Sequence, residues 1–97
     1  MADAHITTTR IAHFIFEKFP LARKRQLTND ASLLETGIVD SIGILEIVTF
    51  LEQEFAVRIE DEDLVPENFG TIASISSFVA RKLDSRQKDA EAVRVNA

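Results

Sequence analysis

The sequence predicts an all-α fold, a small four-helix bundle of three main helices and a short third one, with a long loop between helices 1 and 2. Three observations predict it. Apolar residues recur at helical spacing in three separate stretches. Pro20, Pro66 and Gly70 punctuate the chain between those stretches, and no convincing strand pattern interrupts them. The length of 97 residues allows one small domain with a modest core.

The first helix is expected from about Thr8 to Phe19. Ile11, Phe14, Ile15 and Phe19 share its apolar face, and Pro20 stops it. A connection from Leu21 to Val39 follows, with Asn29, Asp30 and Gly37 as turn residues. So long a loop is uncommon in a small domain. Leu27, Leu33, Leu34, Ile38 and Val39 are expected to pin it to the helices. The second helix runs from about Ser41 to Phe55. Ile44, Ile47, Val48, Leu51 and Phe55 form one continuous stripe, read as core. Ile42, Leu45 and Thr49 lie on another line, largely opposite, beside Glu46 and Gln53. That second line is either extra core beneath the long loop or a partner-docking strip rimmed by carboxylates. A short third segment, Asp61 to Val65, is closed by Pro66. The last helix follows Gly70, with Thr71 as its N-cap and Ile72, Ile75, Phe78, Val79 and Leu83 as its apolar face. The expected domain is 1–83, and the polar stretch 84–97 is expected to be a disordered tail.

The net charge of −5 is unevenly spread. Between Asp40 and Glu67 nine acids face the single Arg58, a net −8, and the rest of the chain carries +3. Such a field disfavours nucleic acid and attracts a basic protein surface. With no cysteine there is no disulfide, thiol chemistry or cysteine metal site. No apolar run is long enough to span a bilayer, and no signal peptide is evident. A cytoplasmic monomer without membrane insertion is the expectation.

Ser41 is the residue best placed for chemistry. It stands where a polar loop hands over to the acidic second helix. Asp40 is a favoured N-cap, so Ser41 begins the first turn. A helix start offers unpaired N–H donors and the positive end of the macrodipole, and it tolerates a phosphate ester. Enzyme readings fare poorly by comparison. His13 has no nucleophile paired with it by sequence. The run Glu60-Asp61-Glu62-Asp63 lacks the spacing of a calcium loop, and no glycine-rich phosphate loop occurs. No catalytic residue and no metal site is assigned.

The run Leu34-Glu35-Thr36-Gly37-Ile38-Val39-Asp40-Ser41-Ile42, with Leu51-Glu52-Gln53-Glu54-Phe55 and Ile59-Glu60-Asp61-Glu62 after it, resembles the acyl carrier proteins and the related peptidyl carrier domains. The resemblance covers roughly residues 8–83 and centres on Asp40-Ser41-Ile42, similar to the family's Asp-Ser-Leu motif. It implies that Ser41 carries 4′-phosphopantetheine, whose terminal thiol holds an acyl group as a thioester. It also implies that Asp40 supports modification by a phosphopantetheinyl transferase. Ile42, Leu45, Glu46, Thr49 and Glu52 would then face partner enzymes, and Ile44, Ile47, Val48 and Leu51 would line an acyl-chain pocket. Ile42 replaces the usual leucine. Gly43 stands where many fatty-acid carriers have an acid, and Thr49 where a larger apolar residue is common. The stretch 65–70 looks more like that of stand-alone carriers served by adenylate-forming ligases. The expected function is therefore an acyl carrier for fatty-acid, polyketide or specialised acyl biosynthesis, not an enzyme. An aminoacyl or peptidyl carrier, loaded by a ligase, is the alternative. An unmodified helical interaction module is the reading from another class.

Overall fold

A computed structural model gives the backbone over residues 4–96 and the side chains over residues 6–85, and these are the residues described. Among them the fold is all-helical: α1 (Ala4–Lys18), α2 (Pro20–Lys24), α3 (Ser41–Phe55), a 3₁₀ turn (Asp61–Asp63), α4 (Pro66–Phe69) and α5 (Ile72–Asn96). The three long helices bury the stripes that their spacing marked. Ile11 and Ile15 of α1, Ile47 and Leu51 of α3, and Ile72, Ile75 and Val79 of α5 have no exposed surface. Phe14, Ile44, Val48, Phe55 and Leu83 pack half-buried against them.

Both prolines start helices. Pro20 is the first residue of α2 and Pro66 the first of α4. Proline is suited to that position, because its ring fixes a helical φ and its missing N–H would have no intrahelical acceptor. Phe19 therefore lies between α1 and α2 in extended conformation, and the expected third segment, Asp61 to Val65, is helical only as the 3₁₀ turn Asp61–Asp63, with Pro66 opening α4 instead of closing that segment. Asp63 ties these pieces to α5. Its Oδ2 accepts from Lys82 Nζ at 2.8 Å and from the Glu60 N–H at 2.9 Å. The Lys82 ammonium first, and the Glu60 N–H second, hold its carboxyl below the ordinary value.

The loop 25–40 is fastened at several points. Gln26 takes a left-handed turn. Leu33 N–H donates to Gly70 O at 2.9 Å, and Ala73 N–H donates to Asn29 O at 3.0 Å. The second bond gives a partner to a donor in the first turn of α5, where none exists within the helix. Leu27, Leu33, Ile38 and Val39 are buried beneath the loop, as expected. Leu34 is 51 % exposed and does not pin it.

Thr71 caps α5 as expected, by a reciprocal pair of 3.0 Å bonds with Ser74. The α5 backbone continues past Leu83 to Asn96 as one helix. The tail expected over 84–97 falls mostly outside the residues whose side chains are described.

Candidate functional site

The start of α3 is built by three local devices. Gly37, at φ +75°, turns the chain in a conformation that L side chains disfavour. Ile38 and Val39 then enter the core. Asp40 returns to the surface in extended conformation, and its Oδ1 accepts the Gly43 N–H at 2.7 Å. Asp40 is therefore the N-cap, with Ile44 N–H donating to its carbonyl at 3.0 Å as the first helical bond. Ser41 is the first helical residue and is exposed. The N–H groups of Ser41 and Ile42 lie in the part of a helix that offers no intrahelical acceptor.

The residues assigned to partners are grouped on one side of α3. Ile42 is 71 % and Leu45 56 % exposed, and Thr49 is exposed with them. They are not core beneath the loop. Glu46 is half-buried. Glu52 differs from expectation in one respect. Its Oε2 accepts the Ile59 N–H at 3.1 Å, so part of its carboxylate serves the turn after α3. That turn opens with Ala56 in the left-handed region. On the opposite side, Ile47 and Leu51 of the proposed acyl pocket are fully buried, with Ile44 and Val48 partly buried beside them.

Three residues of the site region, Gly43, Phe19 and Phe50, had no site role in the sequence reading. Gly43 is buried, and a Cβ there would stand 2.8 Å from Phe19 Cε1 and 2.9 Å from Val39 Cγ1. Phe19 thus closes on the first turn of α3. Phe50 stacks on Phe14, with ring centroids 4.1 Å apart, and fills the space between α1 and α3. The signal for Gly43 was present, since glycine inside a helix is costly and needs a packing reason. Two hollows result. A cleft of about 300 Å³ lies at the start of α3, lined by Phe19, Ile38, Asp40, Ile42 and Glu46, so that the residues before and after Ser41 both face it. A groove of about 500 Å³ lies further along, over Phe14 and Phe50, crossed by the Arg10–Glu54 ion pair at 2.7 Å. His13 lines that groove from α1 and is exposed.

The family model described as "Phosphopantetheine attachment site" matches residues 20–79. The chain is 34 % identical over 73 residues to the probable acyl carrier protein PigG of a Serratia species, covering 75 % of this chain and 84 % of that one. It is 30 % identical over 83 residues to the acyl carrier protein of Thermotoga maritima, covering 86 % of this chain and 99 % of that one. Among solved structures it superposes on the holo acyl carrier protein of Nitrosomonas europaea with a TM-score of 0.61, at 26 % identity, covering 87 % of this chain and 99 % of that one. It also superposes on a chain in the crystal structure of an FAD-dependent dehydrogenase with a TM-score of 0.63, at 26 % identity, covering 71 % of this chain and 97 % of that one. An exposed hydroxyl on the first residue of a capped helix is the chemistry that a phosphate-linked arm requires. The chain belongs to the acyl carrier proteins, and its prosthetic group is 4′-phosphopantetheine.

Proposed function

We propose that this protein carries acyl groups as thioesters on a phosphopantetheine arm attached to Ser41 and presents them to the enzymes of a biosynthetic pathway, without catalysing a reaction itself. The observation that supports this reading most directly is the placement of Ser41. It is exposed, it opens α3 directly after the Asp40 cap, and it lies inside the matched family segment. Asp40 has a structural role as cap and a proposed one in supporting the phosphopantetheinyl transferase. Ile42, Leu45 and Thr49 are the proposed apolar contact for partners, with Glu46 and Glu52 as the charges that steer basic surfaces toward it. Ile44, Ile47, Val48 and Leu51 are proposed to shelter an acyl chain. They are close-packed here, so sheltering requires them to part. The protein is proposed to work as a cytoplasmic monomer. No helix among the described residues is long and apolar enough to cross a membrane.

A second reading concerns the cargo. An aminoacyl group loaded by an adenylate-forming ligase would use the same arm and site, and the stretch Val65-Pro66-Glu67-Asn68-Phe69-Gly70 supports that reading.

Incubation with coenzyme A and a broad-specificity transferase, followed by intact-mass measurement, tests the attachment. The expected result is a gain of one phosphopantetheine, absent in Ser41→Ala. No gain, or a gain that survives in Ser41→Ala, excludes the carrier reading in this form and leaves the unmodified interaction module.

A further inference from the structure

We propose that the cleft beside Ser41 is a resting seat for the phosphopantetheine arm, and that Gly43 creates it by admitting Phe19 to the first turn of α3. The inference rests on attachment at Ser41. It assigns to Phe19, Ile38, Ile42 and Glu46 the binding of the arm's pantetheine portion.

The apolar wall comes first. A Cβ on residue 43 would stand 2.8 Å from Phe19 Cε1 and 2.9 Å from Val39 Cγ1, so any side chain at that position forces the ring or Val39 to shift. Phe19 is held from behind as well. Its N–H donates to Ile15 O at 2.9 Å, and its ring meets Phe14 edge-on at 6.5 Å. The ring forms one wall of the cleft, with buried Ile38 and exposed Ile42 completing it.

The polar rim complements the arm. Pantetheine carries a geminal pair of methyl groups, one hydroxyl and two amides. The methyl groups need apolar contact, and the hydroxyl and amide N–H groups need acceptors. The charged side chains of the cleft are both carboxylates, Asp40 and Glu46, and so supply acceptors only. One Asp40 oxygen is taken by the Gly43 N–H, which leaves the other, together with Glu46. The same carboxylates repel a phosphate, so the phosphodiester stays at the mouth, by the free donors of the helix start.

The tether makes weak contacts sufficient. A ligand fixed by a short flexible linker has an effective concentration in the millimolar range, so an intrinsic Kd of about 1 mM gives roughly half occupancy. A seat of that strength holds the arm between encounters and still releases it to a partner.

The test is NMR on protein loaded with ¹³C,¹⁵N-labelled pantetheine, with intact mass confirming one arm in each sample. NOEs are expected from the geminal methyl protons to the Phe19 ring and the Ile42 methyl groups, with apo-to-holo shifts at the Ile38, Ile42 and Glu46 amides. Phe19→Ala should lose the methyl NOEs. Glu46→Gln, at a half-buried surface position where folding is not at stake, should move the arm's amide protons toward their values in free pantetheine. A loaded wild-type protein whose arm shows no NOE to these residues and keeps free-pantetheine shifts overturns the seat and leaves the attachment standing. Unchanged NOEs and arm shifts in Glu46→Gln and in a folded Phe19→Ala overturn it equally. A sample that gains no mass, or gains it in Ser41→Ala, overturns the attachment and the seat with it.

Discussion

Both sides of α3 carry large apolar side chains and treat them differently. On one side Ile47 and Leu51 have no exposed surface. On the other, Ile42 and Leu45 are 71 % and 56 % exposed. Hydrophobicity alone cannot separate these lines. What separates them is what stands opposite. The first side faces α1 and α5 and is covered by their stripes. Among the described residues no element covers Ile42 and Leu45, because the 25–40 loop spends its own apolar residues elsewhere. Leu33, Ile38 and Val39 turn into the core, and the exposed Leu34 is no cover. Two large aliphatic side chains left in water next to the reactive hydroxyl form the kind of patch that another protein covers.

The largest expected effect comes from breaking the buried side. Leu51→Ala removes a fully buried side chain from the centre of the bundle. It should destabilise the protein by about 2–5 kcal/mol through lost transfer energy and the cavity left behind. Urea denaturation measures this. A loss below about 1 kcal/mol would mean that the core collapses around the gap and that the contrast between the sides is weaker than the burial implies.

Gly43 sits on the edge between the two sides, and two opposed magnitudes decide its prediction. Alanine in place of glycine gains about 0.8–1 kcal/mol of helix propensity. The new methyl group enters a space already filled by Phe19 and by Val39, which is 1 % exposed and cannot retreat into solvent. Overpacking of that kind costs about 1–3 kcal/mol. The net expectation for Gly43→Ala is a loss of about 1 kcal/mol in the same denaturation experiment. A gain in stability would show that Phe19 slides away at no cost and that the close approach is not a constraint.

These residues also mark what the sequence could reveal. The apolar stripes of α1, α3 and α5 were legible because one periodicity governs many residues at once. The Asp40 cap was legible because a cap is local, three residues wide. The roles of Pro20 and Pro66 were not, since a missing N–H suits a helix start as well as a helix stop. The Phe19–Gly43 contact and the Glu52 bond to Ile59 were hidden for a different reason. Each depends on how separate segments meet, one across the whole loop and the other across the left-handed turn at Ala56. Leu33 and Leu34 show the limit most simply. Adjacent and chemically identical, they end up 0 % and 51 % exposed because only one faces the bundle.

The smallest stability effect is expected on the exposed side, where it is the most informative. Leu45 keeps more than half of its surface in solvent, so Leu45→Ala removes few contacts and leaves no enclosed cavity. The expected change is within about 0.5 kcal/mol, as for surface substitutions away from caps and buried networks. The side chain is not idle if partners cover it. Burying a leucine is worth about 1.5–3 kcal/mol, and truncation at a docking surface should return a good part of that as weaker association. The pair of measurements is therefore denaturation of Leu45→Ala beside Leu51→Ala, and the kinetics of phosphopantetheine transfer to each. Leu51→Ala should lose stability, and any slowing of transfer should follow its unfolded fraction. Leu45→Ala should keep its stability and slow transfer by roughly tenfold, the factor that corresponds to about 1.4 kcal/mol. Equal destabilisation by the two substitutions would place Leu45 in the core and remove the docking strip. Unchanged transfer in a stable Leu45→Ala would leave Ile42 and the carboxylates as the remaining determinants, and the contrast between the two sides of α3 would concern folding alone.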